Sequence, residues 1–202
     1  MRTQTTSRTL YKFDELEESA KARAIENLAD INTDFDWYDG TIEDVRESAK
    51  LLGINISNVY FDGFWSQGDG AMFEGNYEYK KGASKAIMEY APKDTELHQI
   101  AKDLQTIQKR YFYSICVTVK HSGHYYHENC TKWDISGKDF QSWNAPVASE
   151  DIKEPLKDFM RWIYRRLESK YEYLTSEESI VETIKANEYE FDEIGFAITV
   201  KD

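Results

Sequence analysis

The chain has 202 residues and a formal net charge of −12, with 41% hydrophobic and 14% aromatic side chains. That composition supports a packed core and excludes a disordered chain. No apolar run reaches the ~18–20 residues needed to cross a bilayer, and the opening MRTQTTSRTLYKF lacks the apolar stretch of a secretory signal. A cytosolic location without membrane association is the expectation, and Cys116 and Cys130, the only cysteines, fit a reducing compartment.

In chain order, Asp14 with Glu17 three residues on has the spacing of a reciprocal helix cap. Leu16, Ala20, Ala24, Ile25 and Leu28 then share one face. After the link INTDFDWYDG a second helix is expected from about Thr41. Its stripe is Ile42, Val45, Ala49 and Leu52, and Gly53 is placed to end it. NISNVYFDGFW and AMFEGNYEYK alternate as the strands of a hairpin around SQGDG, with Asp69-Gly70 as the turn dipeptide. SKAIMEYA reads as a short helix. A firmer one over Asp94–Arg110 buries Leu97, Ile100, Ala101, Leu104 and Ile107.

A second hairpin joins YFYSICVTVKH to HYYHENCTKWDI. Taking Ser122-Gly123 as a two-residue turn pairs His121 with His124, Val119 with Tyr126 and Ile115 with Cys130. Ile115, Val117 and Val119 then face the core. The polar link GKDFQSWNAPVA leads to a long helix over about Ser149–Tyr173, whose start Pro155 draws to Glu150–Lys153 because proline belongs in a first turn. Thr175 and Glu178 have capping-box spacing ahead of a last helix with Ile180, Val181 and Ile184, and the tail YEFDEIGFAITV adds an edge strand. The expected architecture is one α+β domain over residues 1–202. It has two antiparallel β-hairpins in one sheet packed against about five helices.

Charge is uneven along the chain. Residues 14–47 carry −9, residues 80–133 carry +4 and residues 150–202 carry −6. Acidic ends disfavour nucleic acid, except by mimicking it, and favour basic protein partners.

Three segments hold candidate site residues. In HSGHYYHENC, His121, His124, His127 and Cys130 recur every third position, and imidazole and thiolate are good ligands for zinc-like metals. Read as a strand, however, the segment puts His124 and Cys130 on one face and His127 on the other. In the loop WSQGDG, glycines allow close backbone approach. Asp62 and Asp69 are an acid–base or cation-binding pair, with Trp65 and Gln67 beside them. In DFDWYD, Asp34, Asp36 and Asp39 around Trp37 offer an aromatic anchor with an acidic rim for a basic partner. In the long helix, Arg161, Arg165 and Arg166 lie near one another and pair with nearby acids as ordinary helix chemistry. No GxSxG, HExxH, Rossmann or CxxC signature is present.

The segments YKFDELEESAKARAIENLADIN, DFDWYD, VYFDGFWSQGDGAMFEG, GHYYHENC and FMRWIYRRLESKYEYLTSEESI resemble a family of uncharacterised bacteriophage and prophage proteins. FWSQGDGA is the most specific of them. Members often bear the loose label of an antitoxin from a toxin–antitoxin stability system. The resemblance implies expression in a host bacterial cytoplasm and transfers no catalytic residue and no cofactor. The expected function is that of a phage-encoded accessory protein that binds and modulates a bacterial host or defence protein. Two alternatives stand beside it: a metal-dependent or nucleotide-processing enzyme using the 62–69 loop and the 121–130 hairpin, and an antitoxin-like subunit.

Overall fold

The protein is described from a computed structural model over residues 8–137 and 145–198; residues 1–7, residues 138–144 of the polar link and residues 199–202 lie outside the described residues. The elements run β1 (Tyr11–Lys12), α1 (Glu18–Asn27), α2 (Asp39–Leu52), β2 (Ile54–Asp62), β3 (Gly70–Glu78), α3 (Ala83–Tyr90), α4 (Thr95–Arg110), β4 (Cys116–His121), β5 (Thr131–Ser136), α5 (Ala145–Leu174), α6 (Glu177–Ala186) and β6 (Glu190–Phe191). The class is α+β, as expected. The two hairpins form a single antiparallel sheet in the order β2-β3-β4-β5. A separate β1–β6 pair and a sixth helix go beyond the expected count.

The chain forms two compact units. One contains the residues up to Trp37 and those from Ser169 onward; the other is the continuous stretch Tyr38–Glu168. In the first unit, β1 pairs with β6 through Tyr11↔Phe191 and Lys12↔Glu190. Phe13, Leu16, Ala20, Ala24, Ile180, Ile184 and Phe191 form its core. Buried Asn32 ties the unit together. Its amide donates to the Leu174 carbonyl (3.0 Å) and the Ser179 hydroxyl (3.2 Å), and its carbonyl accepts from the Thr183 hydroxyl (2.7 Å). Every polar atom of that side chain is satisfied, as a buried amide requires.

In the second unit, Val45, Ala49, Leu52, Phe73, Tyr77, Leu97, Ile115, Val117, Val119, Ile152 and Phe159 are all buried. Phe73 of β3 meets Phe159 of α5 edge-on at 5.9 Å. Each fully buried side chain of this kind contributes on the order of 1.5–3 kcal/mol. Gln108 closes the α4–β4 corner: its amide donates to the Ile115 carbonyl (2.7 Å) and its oxygen accepts the Ile115 N–H (3.2 Å).

Several local expectations are corrected. Asp14 does not cap α1. Residues 13–15 form a 3-10 turn, closed by the Glu15 carboxylate on the Lys12 N–H (2.7 Å), and Asp14 pairs with Lys185 instead (2.6 Å). Helix α2 starts at Asp39, ahead of Thr41. The cap of α6 is Ser176, whose hydroxyl accepts the Ser179 N–H. Helix α5 begins at Ala145 and carries Pro155 in its interior. The proline withholds the N–H that Asp151's carbonyl would accept, at a cost of about 3 kcal/mol. The buried stripe Ile152, Leu156, Phe159, Met160 and Ile163 on either side of it offsets that cost. The second hairpin has a different register: Val119 pairs with Trp133 and His121 with Thr131, so residues 122–130 are a loop rather than strand.

Gly53 ends α2 in a left-handed conformation (φ +89°), and a Cβ there would stand 2.2 Å from the Glu78 carbonyl oxygen. Gly53→Ala is expected to lower unfolding stability by about 2–4 kcal/mol, read from urea denaturation, because both backbone strain and a backbone clash must be relieved.

Candidate binding site at the loop end of the sheet

Strand β3 runs antiparallel to both β2 and β4. The turn 63–69 and the loop 122–130 therefore leave the sheet at the same end, and they pack on each other. A Cβ on Gly70 would stand 2.4 Å from the His127 Cβ and 2.7 Å from its Cα, and one on Gly68 would stand 3.0 Å from the Tyr125 ring. Both glycines of GDG are small because the second loop lies on them.

The first loop is internally braced. Asp69 accepts the Ser66 N–H on Oδ2 (2.6 Å) and donates its own N–H to the Ser66 carbonyl (3.2 Å). Trp65 sits in the left-handed region (φ 72°) and is 65% exposed. For a bulky residue that conformation costs on the order of 1–3 kcal/mol and persists only where the surroundings impose it. The surroundings here are the Phe64 ring, packed between Trp65 (6.0 Å) and Tyr164 of α5 (5.5 Å), and a hydrogen bond from the Trp65 backbone to the Tyr164 hydroxyl. Burial raises the Tyr164 pKa, and that backbone bond opposes the rise.

The second loop is held by its own turns and by α5. Ser122 N–H donates to the Cys130 carbonyl and Cys130 N–H to the His127 carbonyl, both at 2.9 Å. Glu128 pairs with Arg161 (3.2 Å), which also binds Glu154 and Asp158, and Asn129 accepts from Lys157 (3.0 Å). These bonds supply the physical reason for the register correction, since the turns use backbone groups of Ser122, His127 and Cys130 and the helix contacts hold the Glu128 and Asn129 side chains in place. Tyr126 stacks on Tyr60 at 5.4 Å and 13°.

Beneath the loops, Glu74 joins three strands. Its carboxylate accepts the His121 N–H (2.9 Å), the Asn58 amide (3.2 Å) and the Tyr60 hydroxyl (3.2 Å). The bond from the His121 backbone is the main cause that lowers its pKa, with Asn58 and Tyr60 adding to it and desolvation opposing. On Tyr60, desolvation and the neighbouring Glu74 charge push the phenol upward.

The predicted site residues are distributed as follows. Asp62, Trp65 and Gln67 are exposed at this end, and Asp69 is half-buried and engaged in its turn. His121 Nε2 meets the Tyr125 carbonyl (3.1 Å), and His124 is exposed with its ring edge-on to Tyr125. His127 Nε2 lies 3.5 Å from the Cys130 Sγ. Among the described residues no three His, Cys, Asp or Glu side chains converge to hold a metal ion. His127 Nδ1 accepts the Asn129 N–H (3.1 Å), so in the neutral ring the proton sits on Nε2, facing the thiol. That tautomer is the wrong one for a general base on Cys130.

In the first unit, Asp34 and Asp36 are exposed, while Trp37 is half-buried against Tyr171 (5.5 Å). The exposed aromatic of that segment is Phe35, at 65%. Asp39, in the second unit, is the exposed first residue of α2, where a helix dipole favours negative charge. Sequence reasoning missed Tyr125, Tyr60, Tyr126, Glu74 and Tyr164. The available signal was the aromatic density on both sides of the two turns.

A domain of unknown function, DUF8835, matches residues 37–177, more than half of the chain. The chain belongs to the DUF8835 family. The DUF8835 match spans the four-stranded sheet, both of its end loops and the helix that holds them. No curated protein and no solved structure matches the chain. Among the described residues, no helix is long and apolar enough to cross a membrane.

Because the folded-state pKa of Glu74 is lowered, its stabilising contribution is complete above the ordinary glutamate range and is lost as the pH falls through the lowered value. Glu74→Gln is expected to flatten the acid limb of stability against pH while lowering stability at pH 7. An unchanged acid limb in denaturation curves would show that the carboxylate contributes nothing there.

Proposed function

We propose that the protein is a binding protein whose contact surface is the loop end of the sheet, with Trp65 as its central anchor. The observation that carries this reading is an exposed tryptophan held in a left-handed backbone by the Phe64 ring and Tyr164 of α5. Exposed, preorganised aromatics lose little freedom on association, and tryptophan and tyrosine dominate interface energetics. Tyr125, 48% exposed and packed against Gly68, displays a second ring from the neighbouring loop.

The partner is a bacterial protein with an apolar pocket for the indole, and the setting is that of a phage-encoded accessory factor in the host cytoplasm. Support for the setting is the resemblance of FWSQGDGA and its flanking segments to phage proteins. The same motif builds the loop that carries Trp65, so the most specific stretch of the resemblance coincides with the proposed anchor.

The test is quantitative affinity capture from bacterial lysate with the full chain, followed by Kd measurement on the captured protein. Trp65→Ala is expected to weaken binding by about 2 kcal/mol, roughly thirtyfold in Kd. Phe112→Ala, at an 82% exposed ring in the turn between α4 and β4, serves as the control and should leave binding unchanged. Equal affinity of Trp65→Ala and the parent chain would remove the loop end as the contact surface.

A further inference from the structure

Away from the loop end, the second unit contains a cavity of about 490 Å³ between α2, the α3–α4 connection and α5. Asp44 and Ser48 line it from α2, Tyr90 through Asp94 from the connection, and Trp162 and Arg166 from α5. The volume falls in the range of small-molecule sites, roughly 300–1,000 Å³.

Its polar groups divide into committed and uncommitted ones. Asp94 is committed: Oδ1 caps α4 by accepting the Leu97 N–H (2.9 Å), and Oδ2 accepts the Trp162 indole N–H (2.9 Å). Trp162 is thereby fixed in the wall, only 4% exposed, and the Arg166 guanidinium lies over its ring at 5.9 Å. That contact uses the face of Arg166 and leaves its N–H donors open. Asp44, Lys93 and Arg166 make no ion pair with any described residue, whereas Arg161 and Arg165 on the same helix are paired with carboxylates.

The second observation is Ser48. It is only 2% exposed, and its hydroxyl has no hydrogen-bond partner among the described residues. Among the described residues no side-chain polar atom sealed from solvent lacks a partner, so the hydroxyl keeps a small opening to solvent at the cavity it lines. A buried polar group left for an incoming partner is a mark of a ligand site.

We infer that this cavity binds a small zwitterion of the amino-acid class. Arg166 and Lys93 take the carboxylate, Asp44 takes the ammonium, Ser48 hydrogen-bonds within the cavity, and Tyr90, Pro92 and Trp162 face the apolar body. A pure anion would meet Asp44 and a pure cation would meet two basic side chains; only a ligand carrying both charges satisfies all three. This site is independent of the loop end, and neither reading rests on the other.

The test uses the full chain and the common L-amino acids as probes, by ligand-observed NMR and then calorimetry. At least one is expected to bind with a Kd below about 5 mM, and its analogues lacking the carboxylate or the ammonium should each bind about tenfold more weakly. Asp44→Asn should abolish the preference for the amino acid over the analogue lacking the ammonium. Arg166→Gln should abolish the preference over the analogue lacking the carboxylate. Both positions are exposed, and unchanged thermal melting confirms that the variants fold. The proposal is overturned if no amino acid binds at that concentration, if single-charge analogues bind as tightly, or if the two variants bind like the parent.

Discussion

The pairing of β3 with β4, from Gly75↔Val119 to Glu78↔Cys116, is the constraint on which the site depends. Each hairpin is a local structure, and a lone hairpin is marginal in water. The β3–β4 ladder merges them into one sheet and, by its antiparallel sense, carries both end loops to one side. It ends at Gly75↔Val119, and two residues on the His121 N–H turns to the Glu74 carboxylate instead of a strand neighbour. Glu74 thus takes over where the ladder stops and lets the second loop fold back over Tyr60. Without that pairing the glycines of the first loop would have nothing to accommodate.

Legibility in the sequence followed the range of the interaction. Gly53 as the end of α2, the start of α4 at about Asp94 and the inward set Ile115, Val117 and Val119 are local signals, and each was readable because helix-end chemistry and side-chain periodicity act within a few residues. The segment HSGHYYHENC was misread because Ser122-Gly123 mimics a tight turn, while what fixes its course is Arg161, thirty-three positions from Glu128. Pro155 misled for a similar reason. A local rule placed it in a first turn, and buried neighbours along α5 overrode the rule. The cavity at Ser48 had no local signal at all, because its walls come from α2, the α3–α4 connection and α5.

The candidate sites differ in how they treat strain and charge. At the loop end, Asp69, Glu74, Glu128 and Arg161 all hold the scaffold, and the large side chains displayed are the aromatic Trp65 and Tyr125. In the cavity Asp94 alone of the charged lining holds the scaffold, and Asp44, Lys93 and Arg166 remain uncommitted at the wall. The first arrangement suits an extended partner that supplies a pocket, and the second a small molecule that supplies its own charges.

The chain order of the two units carries a kinetic consequence. The second unit is one uninterrupted stretch, whereas the first is assembled from both flanks, its β1 strand pairing Tyr11 with Phe191. During synthesis the stretch Tyr38–Glu168 is complete while β6 has yet to be made, so its core closes from residues already present. Closing the β1–β6 pair over an unfolded intervening chain would carry the entropy of a loop about 180 residues long. The first unit therefore cannot close until the chain of the second has been made. Until β6 arrives, Phe13 and Leu16 wait without Phe191, Ile180 and Ile184, which makes the early flank the segment most in need of protection in the nascent chain.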